Sequence, residues 1–134
     1  MNLKFAYWTS TGLLCAVYLA STTMYVSDLA GVQATFGLLG YPGYLVVLLI
    51  VAKLAAVLAI LSRRSVALSD LAYAGMFFHL ILAASAHLGA GDPLLAAAPA
   101  GVAVLLLLVS FLTQNAGRAK PSPYGSVAAI TAMR

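Results

Sequence analysis

Four apolar stretches, residues 7–26, 44–61, 68–89 and 94–112, take up most of this chain, with turn-forming residues between them. Each is close to the ~20 residues that a helix needs to cross the hydrocarbon core of a bilayer. Inside that core the backbone polar groups must be satisfied within the segment, which a helix does. The fold class expected is all-α, an integral membrane four-helix bundle over residues 1–115. Residues 116–134, with Gly117, Pro121, Pro123 and Gly125, are expected to form a flexible tail. Composition agrees: 63% of the 134 residues are apolar and 7% are charged, where soluble domains carry about 25% charged residues. So few charges cannot cover the surface of a water-soluble globule.

The breaks between the stretches are specific. The first stretch follows Lys4 and could be read as a signal peptide, but it is too long and too polar in its second half. A retained helix is expected. The loop 27–43 holds Asp28 and the turn-rich run Gly40-Tyr41-Pro42-Gly43, and its middle, Gln33 to Leu39, is expected to form a short interfacial helix. Ser62-Arg63-Arg64-Ser65 reads as a polar turn, and Gly89-Ala90-Gly91-Asp92-Pro93 as a second. Pro99 and Gly101 are expected to bend the start of the last stretch. Asp28, Asp70 and Asp92 read as loop and cap residues, Asp70 following Ser69 in capping the third stretch.

Orientation follows from the basic residues of the short loops. Lys4, Arg63, Arg64, Arg118, Lys120 and Arg134 all fall on one side, whereas the first and third loops hold only Asp28 and Asp92. Both termini are therefore expected in the cytoplasm, and the protein in the bacterial cytoplasmic (inner) membrane as a multi-pass chain. Tyr7 and Trp8 then lie at the inner interface, Tyr41 and Tyr44 at the outer one. The net charge of +4 does not point to nucleic acid, because no Lys and Arg cluster lies on an otherwise polar face. The lipid bilayer is the expected partner, together with a larger membrane complex or a second copy of the chain. A single cysteine, Cys15, excludes an internal disulfide and a cysteine metal cluster.

The seventh basic residue, Lys53, lies near the middle of the second stretch. A lysine at that depth costs roughly 3 kcal/mol on insertion scales, so it must face the protein interior, a polar cavity or a partner, or be neutral. His79 falls at similar depth in the third stretch, and His87 follows about 12 Å further along the helix. In the first stretch Thr11, Cys15, Tyr18, Thr22 and Tyr25 recur at helical spacing and share one face. Hydroxyls avoid lipid, so this face should turn inward. Two readings of it stand side by side. The hydroxyls bond neighbouring helices together, or they line a polar pocket between the first three stretches, opening outward, with Tyr18, Tyr25, Lys53, His79 and His87 as its ligand-binding residues. His79 equally reads as a packing residue and His87 as a wetted interfacial one.

Several chemistries are set aside. His79 and His87 lack the spacing of a helical metal pair, the chain has no Glu, and no phosphate loop or catalytic triad can be assembled. No catalytic residue and no metal ligand is singled out. Four helices without an evident internal repeat are few for a monomeric carrier.

Three runs are also familiar. Tyr7-Trp8-Thr9-Ser10-Thr11-Gly12-Leu13-Leu14 opens the first stretch. Leu39-Gly40-Tyr41-Pro42-Gly43-Tyr44-Leu45 precedes Val51-Ala52-Lys53-Leu54. Leu71-Ala72-Tyr73-Ala74-Gly75-Met76-Phe77-Phe78 continues to Ala86-His87-Leu88 and Gly91-Asp92. In this order they resemble the DoxX-like family of small four-helix bacterial membrane proteins. The chain departs from the pattern where His79 replaces an acidic residue after the Phe pair, and where Asp70 stands one place before an expected Glu. The resemblance implies a four-helix membrane fold and an association with quinone-linked or thiol-linked redox systems. The function expected is a small accessory subunit of a redox or respiratory assembly, with quinone or lipid in the pocket. A quinone head asks for donors to two carbonyl oxygens inside an apolar channel, which Lys53, His79 and a tyrosine supply. A non-catalytic assembly factor or structural subunit, and a stand-alone membrane oxidoreductase, are the alternatives.

Overall fold

The structure is a computed structural model that describes residues 2–125, and all regular structure within them is helical. The first helix, α1 (Leu3–Ser27), starts where the Asn2 side chain accepts from the amides of Lys4 and Phe5. Asp28 both ends it and starts the next. Its own N–H reaches the Met24 carbonyl, and its carboxylate accepts from Gly31 N–H at 3.1 Å to cap α2 (Leu29–Leu38). A Cβ at residue 31 would run into that carboxylate, so glycine leaves it room to cap the helix. The two helix axes meet at 102°. The short helix expected over 33–39 is α2, and it begins four residues earlier because Asp28 caps it.

Gly40, at φ 85°, lies in the turn just after α2, and α3 (Leu45–Ser62) follows that loop. Arg63 closes α3 in the left-handed conformation, and Ser65 caps α4 (Val66–Gly89) by accepting from Leu68 N–H. Asp70 therefore does not cap α4; it stands inside the second turn, and its carboxylate accepts from Ser122 Oγ at 2.8 Å. Gly91, at φ 77°, turns the chain into α5 (Leu94–Gly117). Pro93 stands just before α5, where its missing N–H leaves no bond unmade, and Pro99 lies inside the helix.

Helix α1 packs against α5 and α3, and α4 packs against α5 and α3, while α2 touches α1 and α3. The core between them holds Leu14, Tyr18, Ile60, Tyr73, Met76 and Leu107. Thr11 and Tyr73 both bond Ser110 Oγ, at 2.6 and 2.7 Å, which ties α1, α4 and α5 through hydroxyls. The outer surface is apolar: Leu48, Leu58, Leu71, Phe78, Leu95 and Leu105 are all exposed. A protein with hydroxyls inside and leucines outside is built for a lipid surround. Helices α3, α4 and α5 are each long and apolar enough to cross a membrane, and the bent pair α1–α2 meets the same test jointly.

The chain after α5 returns over the end that carries the α3–α4 turn. Arg118 Nε donates to Tyr7 Oη at 2.7 Å and its Nη2 to the Ile60 carbonyl at 2.6 Å. Asn115 clasps Ser122 through both backbone groups. Residues 118–125 are thus fastened to the helices where a loose tail was expected, while Arg134 and the rest of that tail lie outside the described residues.

Candidate functional site

Small residues decide where the helices leave room. Ala52, Ala55, Ala56 and Ala59 on α3 face Ala72 and Gly75 on α4, and a cavity of about 400 Å³ opens between them. Its lining runs from Leu49 to Ala59 on α3 and from Leu68 to His79 on α4. Stretches of that length, about 15 Å at 1.5 Å per residue, make it a lateral cleft along two helices. Its wall is almost wholly apolar. The exceptions are Tyr18, Lys53 and His79, contributed by α1, α3 and α4 in turn.

Each of these is held by a neighbour. Lys53 is 4% exposed. Its Nζ donates to Ser21 Oγ at 2.8 Å and stands 3.7 Å from the centre of the Tyr25 ring. An ammonium has three N–H groups, so beyond the hydroxyl and the ring face one is left over. His79 is half-buried; its Nδ1 lies 3.0 Å from Tyr18 Oη, and the two rings meet edge to face. The Tyr18 hydroxyl also donates to the Met76 carbonyl at 3.3 Å. His79 Nε2 has no hydrogen-bond partner among the described residues, and His79 is one of the residues that line the cavity. Among the described residues, the sealed, unpartnered side-chain atoms are Arg63 Nε, Asp70 Oδ1 and Gln114 Nε2. Chemically the cleft offers an apolar slot with a histidine nitrogen, a phenol and an ammonium along one wall.

Of the five residues expected to line a pocket, Tyr18, Lys53 and His79 meet at the cleft. Tyr25 sits one step behind, with its ring on Lys53 and its edge against Phe36 of α2, 6.0 Å between ring centres. His87 is not among the residues lining the cleft: its Nδ1 pairs with Asp92 Oδ2 at 2.7 Å where α4 ends. Asp92 thereby gains a partner that a turn residue alone would not have. The inward face of α1 is as expected, with Thr11, Cys15, Tyr18 and Thr22 buried. Ser21, which is not in the expected stripe, joins the same face, three residues after Tyr18 and four before Tyr25.

Two arginines assigned to a polar turn and a tail do more than set charge. Arg63 is buried, and its Nη1 donates to Gln114 Oε1 at 2.6 Å and to Ser69 Oγ at 2.9 Å, while Nη2 donates to the Lys120 carbonyl. Among the described residues, Lys53 is therefore one of two buried basic residues. Arg118 stacks 4.7 Å above the Trp8 ring besides its bonds to Tyr7 and α3. Among the described residues no three His, Cys, Asp or Glu side chains come together as a metal site.

No curated protein and no solved structure gives a significant match to the chain. A family model described as the DoxX-like family matches residues 9–110, from the early part of α1 to the Ser110 hydroxyl that joins α1, α4 and α5. That match and the lipid-suited helices make this a multi-pass membrane protein, and the chain belongs to the DoxX-like family.

Proposed function

We propose that the lateral cleft binds a quinone-class lipid, head group against Tyr18, Lys53 and His79, and that the protein serves as a small accessory subunit of a membrane redox assembly. The observation that carries this reading is the polar trio itself. It stands alone in the wall of an otherwise apolar cavity whose mouth opens along α3 and α4. A volume of about 400 Å³ falls within the usual range for small-molecule sites. The remaining Lys53 N–H supplies a donor to one ring oxygen, and the small residues leave the slot flat enough for a ring.

The same reading has four spans, the first made by α1 with its bent companion α2, and both ends in the cytoplasm of a bacterium. Support comes from the charges: Lys4, Arg64, Arg118 and Lys120 gather at the end bearing the α3–α4 turn, and Asp28 and Asp92 lie at helix ends of opposite sense. The Arg118 bonds to Tyr7 and Ile60 are what bring the start of α1, the end of α3 and the end of α5 to one side. A subunit role suits a chain whose single thiol, Cys15, is buried in its core, since electrons would then pass through a partner.

The test is titration of the purified protein in nanodiscs with decylubiquinone, comparing wild type with Lys53→Met. Saturable binding that weakens at least fivefold in the variant supports the reading. Equal binding by both sinks the site. Copurification of a stoichiometric partner in mild detergent supports the subunit role, and a chain that always purifies alone overturns it.

A further inference from the structure

One proton decides what the cleft asks of its ligand. The Tyr18 hydroxyl lies 3.3 Å from the Met76 carbonyl and 3.0 Å from His79 Nδ1. A phenol carries one proton and a carbonyl carries none. Both contacts are hydrogen bonds only when Tyr18 donates to Met76 and accepts from Nδ1–H. With both made, the His79 proton is on Nδ1. A further proton on Nε2 would make an imidazolium, and burying an unpaired cation in an apolar wall is costly. No carboxylate offsets that cost: Asp28 caps α2, Asp70 takes the Ser122 hydroxyl and Asp92 holds His87. The facing charge from α3 is Lys53, of the same sign. In that arrangement the imidazole is neutral, with a bare Nε2.

We infer that His79 Nε2 is a hydrogen-bond acceptor directed at the cleft, so that the site selects ligands that donate a hydrogen bond. Within the quinone class, on which this inference rests, that means the hydroquinol in preference to the quinone, and phenols in preference to their ethers. Lys53 does not discriminate, because its spare N–H donates to a carbonyl and to a hydroxyl oxygen alike. Tyr18 is a positioning residue here. It fixes the tautomer of His79 without needing to touch the ligand.

The test uses the full-length protein in nanodiscs under anaerobic conditions, titrated with decylubiquinol and with decylubiquinone. One extra neutral hydrogen bond predicts roughly fivefold tighter binding of the quinol. Tyr18→Phe removes the acceptor of Nδ1–H and frees the tautomer, so the preference should fall toward unity while both ligands still bind. Histidine-selective nitrogen NMR on wild type reads the tautomer directly and needs no ligand; a protonated Nδ1 and a bare Nε2 are expected at His79. Equal or tighter binding of the quinone overturns the selectivity but leaves the quinone-class site standing. A protonated Nε2 in the free protein overturns the inference whether or not either ligand binds. Failure of both ligands to bind, with Nε2 bare, sinks the quinone-class reading, and the preference for hydroxyl donors is then decided by a phenol and its methyl ether.

Discussion

Lys53 and Arg63 are both buried cations on or beside α3, ten positions apart, yet the molecule treats them differently. Arg63 spends its guanidinium on Ser69 of α4, Gln114 of α5 and the Lys120 carbonyl of the returning chain. Lys53 has one hydroxyl and one ring face, and it lines a cavity. The planar, forked guanidinium joins elements at several points at once, whereas an ammonium on a flexible stem is a compact charge with donors to spare. The first arrangement fastens a fold. The second leaves a charge beside an apolar slot, at a cost that a fastening role alone does not repay.

The comparison breaks most sharply at Arg63. Arg63→Met strands the Gln114 and Ser69 oxygens and unties the Lys120 carbonyl, so it should destabilise the protein by about 3 kcal/mol. Thermal unfolding in detergent measures this, and a loss below about 1 kcal/mol would place Arg63 with the ordinary topology charges. Lys53→Met is the mirror experiment. It removes an expensive buried charge and keeps the volume, so stability should stay within about 1 kcal/mol of wild type or rise, while decylubiquinone affinity drops about fivefold. A large loss of stability with unchanged affinity would turn Lys53 into a second Arg63.

Smaller effects sharpen the same contrast. Ser110→Ala deletes the hydroxyl shared by Thr11 and Tyr73, and interhelical bonds of this kind contribute ~0.6 kcal/mol each. A loss of about 1 kcal/mol in a reversible unfolding assay, with ligand binding intact, is the expected result. His87→Ala should do least. Its pair with Asp92 is partly exposed, where such pairs are worth about 0.5 kcal/mol, and the titration curve should overlay that of wild type. A weakened affinity would draw the site out to the end of α4.

How much of this was legible in the sequence depended on the kind of signal. The long helices followed from apolar length, and the inward face of α1 from the spacing of Thr11, Cys15, Tyr18 and Thr22. Lys53 announced itself because a charge at that depth has few explanations. Arg63 gave no such warning: Ser62-Arg63-Arg64-Ser65 looks like any polar turn, and only the return of residues 118–125 over the helix ends makes one arginine of the pair interior. Asp70 was misassigned for the same reason, since a carboxylate near a helix start suits a cap unless a distant Ser122 claims it. His87 was drawn into the site by sharing a helix with His79. Its partner, Asp92, lay five residues away across a turn whose geometry rests on Gly91. The cleft itself could not be foreseen, because a run of alanines on α3 packs tightly or leaves space according to which residues of α4 stand opposite.

The central claim is that a lipid head group occupies the slot between α3 and α4, beside Tyr18, Lys53 and His79. A photoactivatable azidoquinone, applied to the protein in nanodiscs and mapped by mass spectrometry, tests it most directly. Labelling confined to residues 49–59 and 68–79 together with Tyr18, and competed away by decylubiquinone, is the predicted outcome. Labelling spread over the exposed leucines of α5, or unaffected by competitor, would contradict it.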